Sequence, residues 1–177
     1  KYSLPKAKCM YCYEELKSTE VHFHLACSKK FFGQAYVPQF DYDKNALAEL
    51  AKKFVNANMG VTGVQAKVSL SWHKKQEKNT VKKLTIVGLY GDYILKPQSD
   101  YYRNLPELED CTMKMAKVCG LKTVPHTLFP LADNSLSYLT KRVDRTRTEM
   151  RHMEDFCQLT ERLTEDKYKG SHEQVAK

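Results

Sequence analysis

Residues Cys9 to Cys12 read CMYC and residues His24 to Cys27 read HLAC, which together spell C-x2-C-x11-H-x2-C. Two short ligand pairs about a dozen residues apart suit a small zinc site, because each pair forms a tight knuckle and four ligands close a tetrahedron. The spacing nominates Cys9, Cys12, His24 and Cys27, with His22 as competitor for the third position. Two disulfides or free buried thiols are the other use of such cysteines, and the lack of a visible secretory signal weighs against them. Four protein ligands leave no open coordination position, so the expected metal is structural. Cys111, Cys119 and Cys157 fall in expected helices and are expected to be buried apolar residues.

A second stretch, Gly60 to Lys67, reads GVTGVQAK. It fits neither the Walker loop nor the dinucleotide fingerprint. Glycines let backbone N–H groups approach a phosphate closely, and the lysine adds a cation. An ordinary turn followed by a basic residue is the alternative.

The elements that must position these groups follow from periodicity. Asp43 can cap a helix running to about Asn58, with Leu47, Leu50, Ala51, Phe54 and Val55 on one face. VSLSW (Val68 to Trp72) alternates apolar and polar residues, and Lys83 to Pro97 holds two β-rich runs punctuated by Gly88 and Gly91. Pro106 suits the first turn of a helix over about Leu105 to Cys119, with Leu108, Thr112, Met115 and Cys119 along one stripe and Gly120 as its stop. TVPHTLFPL and SLSYLTKRV read as two more strands around the turn Ala132 to Ser135. Met153 to Tyr168 looks helical. The order implies an α+β fold with a mainly antiparallel sheet and one inserted helix.

The chain has 177 residues, 42% hydrophobic and 28% charged, which is enough to bury a core. No apolar run approaches the roughly 18 residues of a membrane helix, so a soluble, cytoplasmic protein without membrane contact is expected. The net charge of +8 permits phosphate ligands, whether of nucleotides or nucleic acids. The lysine-rich segment Trp72 to Lys83 lacks alternating aromatic residues and reads as a solvated hairpin loop.

Taken in order, the knuckle with CSKKFFG, then TGVQAK, LTIVGLYGDYILKP, YLTKRVDR and HMEDFCQLTERLTEDKYKGS resemble the HipA family of bacterial serine/threonine kinases, the toxins of HipA/HipB modules. The resemblance is closest to relatives with an N-terminal zinc knuckle. It implies a zinc knuckle over 1–33, a kinase-like N-lobe over 34–152, and the start of a helical C-lobe over 153–177. Thr62, Gly63, Val64, Gln65, Ala66 and Lys67 match the loop that covers the ATP phosphates, and Lys96 matches the lysine that pairs with them. Lys141, Arg142 and Val143 match the hinge that meets adenine, and Asp144 an acid near the ribose. The hinge departs from the commoner glutamate-arginine-phenylalanine form.

Glu109 is placed like the helix glutamate that orients a strand lysine in protein kinases, with Glu107 as rival. Thr62 is a candidate autophosphorylation site, or simply a turn threonine. The implied cofactor is ATP with magnesium, and the implied substrate a protein hydroxyl. The implied partners are a HipB-like antitoxin, through which DNA contact is indirect, and a small protein like the HipA N-terminal subdomain. The carboxylates that complete phosphoryl transfer are expected in a later helical lobe, so this portion alone is expected to be inactive. Asp155 to Cys157 imitate D-F-G but read better as a helix start. A non-catalytic zinc-bearing interaction or nucleic-acid-binding module on the same scaffold is the alternative function.

Overall fold

The computed structural model describes residues 7–56, 67–72, 82–87, 91–144, 149–166 and 169–176. These fall into two compact units, one ending at Arg142 and one beginning at Val143.

The first unit is built on a five-stranded antiparallel sheet. Its strands are β1 (Val68–Trp72), β2 (Leu84–Val87), β3 (Tyr93–Pro97), β4 (His126–Pro130) and β5 (Leu136–Lys141), in the order β2-β1-β3-β5-β4. The α+β class follows, with the expected helix inserted between β3 and β4. Gly91 permits the close turn into β3, since a Cβ there would lie 2.5–2.9 Å from the backbone of Leu70.

Strand alternation sorts the sheet into two faces. Along β3, Tyr93, Leu95 and Pro97 are buried, while Ile94 and Lys96 are partly exposed. The Tyr93 face joins Leu70, Phe129 and Leu139 in a core completed by Phe23, Phe31, Phe32, Phe40 and Leu47. Phe31 and Phe32 come from helix α1 (Leu25–Phe32), which Gly33 ends in the left-handed conformation at φ 77°. Leu47 comes from helix α2 (Lys44–Asn56), whose start is capped by Asp43 Oδ1 accepting from the Ala46 N–H at 2.8 Å. Phe40, in the connector between them, packs on Phe129.

Helix α3 (Leu105–Val118) packs against β4 and β5, with Pro106 at its first turn. Two expectations fail here. Leu108, Thr112, Met115 and Cys119 are exposed rather than covered, and Cys111 and Cys119 are exposed thiols rather than buried ones. The buried residues of α3 are Pro106 and Asp110. Periodicity marks an apolar face, but here the inward face carries polar groups with partners in the sheet and knuckle.

The second unit holds α4 (Phe156–Leu159), a 3-10 turn at Thr164–Asp166 and α5 (His172–Val175). The long helix expected from Met153 is therefore interrupted. Glu161 takes a left-handed backbone at φ 55°, and the Thr160 hydroxyl donates back to Phe156 O at 2.8 Å. Asp155 caps α4 in a reciprocal capping box with Gln158, so the DFC segment starts a helix as expected. Cys157 is half-buried. Among the described residues no helix is long and apolar enough to cross a membrane.

Candidate functional site

The knuckle begins with a narrow loop. Cys9 N–H donates to Glu14 O at 2.9 Å, and Tyr13 N–H returns to Cys9 O at 2.9 Å. Met10 N–H donates to His22 O at 2.8 Å, tying the first ligand pair to the second. His24 precedes α1, and Cys27 lies in its first turn. This brings one ligand atom each from Cys9, Cys12, His24 and Cys27 within 4.8 Å of one another. His22, in a left-handed backbone at φ 63°, is not in that group.

The donor set fits zinc. A tetrahedral zinc with sulfur and nitrogen ligands separates them by roughly 3.5–3.8 Å. Here His24 Nδ1 lies 3.3 Å from Cys12 Sγ and 3.7 Å from Cys27 Sγ. The other ring nitrogen, Nε2, is 3.0 Å from Glu15 O, so a proton there leaves Nδ1 as the metal-facing lone pair. That carbonyl also raises the imidazole's pKa. Burial works to raise the Cys9 thiol, but the backbone N–H groups of Cys12, His24 and Tyr11 outweigh it and bring it down to about 7. Burial and the neighbouring thiols of Cys12 and Cys9 push Cys27 up to about 12.

The second constellation lies on the α3 face of the sheet. Lys96, on the central strand β3, places Nζ 2.5 Å from Glu109 Oε1 on α3, with both side chains about a quarter exposed. The same ammonium lies 5.5 Å from the ring centre of Tyr138, its cross-strand partner on β5. Lys96 is therefore not a surface lysine on a sheet edge. Glu107, the rival carboxylate, has a buried Oε2 with no hydrogen-bond partner among the described residues.

Lys67 immediately precedes β1. The β1–β3 register pairs Val68 with Leu95 and, carried one residue further, sets Lys67 level with Lys96. Thr62, Gly63, Val64, Gln65 and Ala66 lie outside the described residues.

The β5 end divides in two. Lys141 shares the core face, with Nζ 5.4 Å from the Phe31 ring centre, and burial lowers its pKa. Arg142 lies on the Lys96 face, its Nη1 3.4 Å from Ser69 Oγ. The N–H groups of Lys141 and Arg142 already donate to Pro125 O and Asp92 O, each at 2.9 Å. Both N–H groups are therefore taken up within the fold. Val143 is exposed and Asp144 buried at the start of the second unit, where Asp144 O accepts from Arg151 N–H at 2.7 Å.

Sequence reasoning missed the buried polar groups next to this face. Asp110 is fully buried, its Oδ1 is 3.7 Å from His126 Nε2, and its Oδ2 accepts from the Tyr13 hydroxyl. His126 stacks on Tyr138 with ring centres 5.8 Å apart. Strand alternation puts Tyr138 and Lys96 on one face, but no local signal announces Asp110.

A model of the HipA-like C-terminal domain matches residues 59–177, more than half of the chain. The match begins at the glycine loop and leaves the knuckle outside it. No curated protein matches. Among solved structures, the chain is similar to one from Shewanella oneidensis MR-1, described as its toxin-antitoxin system of HipA, HipB and operator DNA. The identity is 22% and the TM-score 0.43, over 73% of this chain and 33% of that one. The chain thus spans about a third of that protein's length.

Proposed function

Because this chain belongs to the family of HipA-like C-terminal domains, we propose that it is the ATP-binding portion of a HipA-like serine/threonine kinase. The observation that carries the reading is the Lys96–Glu109 pair, a strand lysine held by a helix carboxylate 2.5 Å away. A phosphate-binding lysine must be held in one place, and a helix glutamate serves that end in protein kinases. In this role Lys96 binds the nucleotide's phosphates and Glu109 orients it. Lys67, level with Lys96, supplies a second cation, and the loop 62–67 supplies backbone N–H groups.

Magnesium would neutralise phosphate charge beside these lysines. The acceptor is a protein hydroxyl, and the carboxylates that complete the transfer belong to a further helical lobe. Cys9, Cys12, His24 and Cys27 hold a structural zinc ion that contributes on the order of 10 kcal/mol to the fold of the knuckle. A HipB-like antitoxin and a small protein like the HipA N-terminal subdomain are the proposed partners, with DNA reached through the antitoxin.

The test is thermal denaturation with and without millimolar ATP and magnesium. Wild-type protein is expected to gain several degrees, and Lys96→Ala to gain none while melting near the wild-type temperature without nucleotide. Equal stabilisation of both proteins would contradict the assignment of Lys96.

A further inference from the structure

Besides the packing of Phe31 and Phe32 in the core, three hydrogen bonds among the described residues tie the knuckle to the sheet and its helix, and two of them end on α3. The Tyr13 hydroxyl donates to Asp110 Oδ2, and the Lys114 ammonium donates to Tyr11 O. The third is Thr127 Oγ1 on β4, which donates to Met10 O at 3.1 Å. Lys114 also lies over two knuckle rings, 5.0 Å from the centre of Tyr11 and 5.1 Å from that of Tyr13. Asp110 and Lys114 are one helical turn apart, so the knuckle grips a single stretch of α3.

Two features make Tyr13 more than a bystander. Its backbone is left-handed at φ 67°, a conformation that is costly for a bulky residue and easy for glycine. A glycine would suit the turn but could not reach Asp110. Asp110, in turn, is a fully buried carboxylate, which needs a strong donor to be tolerated. Its neighbour in the chain is Glu109, which points at Lys96. A helix is stiff over one residue, so a group that fixes Asp110 also fixes the position from which Glu109 reaches the sheet.

We infer that the metal knuckle is a brace for helix α3, with Tyr13 a positioning residue that, through Asp110, holds Glu109 against Lys96. The inference rests on reading Lys96–Glu109 as the nucleotide-orienting pair, but the brace itself can be read without nucleotide. No metal ligand is altered by Tyr13→Phe, which removes one hydroxyl and leaves Asp110 short of its donor.

The experiment measures the acylation rate of Lys96 by an amine-reactive ester, residue by residue, by mass spectrometry on the metal-loaded protein. A lysine released from its carboxylate is more available to the reagent. Tyr13→Phe is expected to accelerate Lys96 labelling several-fold while Lys44 and Lys83 label as before. Glu109→Gln is expected to accelerate it at least as much, and the double variant no more than Glu109→Gln alone. Unchanged Lys96 labelling in a Tyr13→Phe protein of lowered stability would overturn the brace, as would acceleration shared by Lys44 and Lys83 or added in full on top of Glu109→Gln. A separate arm adds ATP to wild-type protein. Failure of ATP to slow Lys96 labelling counts against the nucleotide reading and leaves the brace standing on the variant rates.

Discussion

In the knuckle, four ligand atoms come from Cys9 to Cys27, a span with one short helix, and converge within 4.8 Å. The Lys96 site is assembled differently. Its groups come from β3, β5 and α3, and they meet only because a five-stranded sheet and a packed helix bring distant parts of the chain together. Both regions share one core, since Cys9, Phe23, Phe31 and Phe32 are buried with Leu70, Leu95 and Leu139, so what separates the two sites is how near in sequence their groups lie. A local site can therefore be lost by one thiol, whereas a composite site is lost by anything that moves a strand or helix.

The sharpest way to break the comparison is Cys9→Ser. If the knuckle depends on a metal, this variant forfeits binding energy on the order of 10 kcal/mol. Metal analysis is expected to fall from one zinc per chain to near none, with a large drop in melting temperature. One zinc retained in Cys9→Ser, or none in the wild type, would remove the metal from the account.

A steric change in the sheet should act without touching the metal. Gly91→Ala puts a Cβ against the Leu70 backbone of β1, where the carbonyl cannot move without breaking strand pairing. The expected loss is about 1–3 kcal/mol by chemical denaturation, with zinc content unchanged.

These two regions were unequally legible in the sequence. The ligand set could be nominated from spacing because a knuckle is a local object, and the strand runs could be placed because alternation and turn residues are local as well. Lys96 and Glu109 carry no local mark. Nothing in ILKP or LPELED states that the lysine lies on the central strand or that the helix turns its Glu109 face inward. Both came from resemblance.

The apolar stripe of α3 misled for the same reason, since periodicity cannot say which face a neighbour will cover. The interruption at Glu161 was hidden because a glutamate seldom adopts a left-handed backbone.

The smallest effect expected is confined to alkaline pH. Burial, reinforced by Asp92, pushes Tyr93 up to about 12. A phenol whose folded pKa lies above its unfolded value of about 10 contributes stability fully below pH 10 and loses it as pH rises toward 12. Wild-type stability should therefore fall across that window by on the order of 2 kcal/mol more than that of Tyr93→Phe. Parallel pH profiles of the two proteins would show that this hydroxyl is not buried as described.

The central claim, that this chain binds ATP at Lys96, is met most directly by an acyl-phosphate derivative of ATP, which transfers its acyl group to a lysine beside the bound phosphates. The account predicts that Lys96 or Lys67 is acylated, that excess ATP blocks the reaction, and that Lys96→Ala abolishes acylation at position 96 and weakens it at Lys67. Acylation scattered over surface lysines and insensitive to ATP would contradict it.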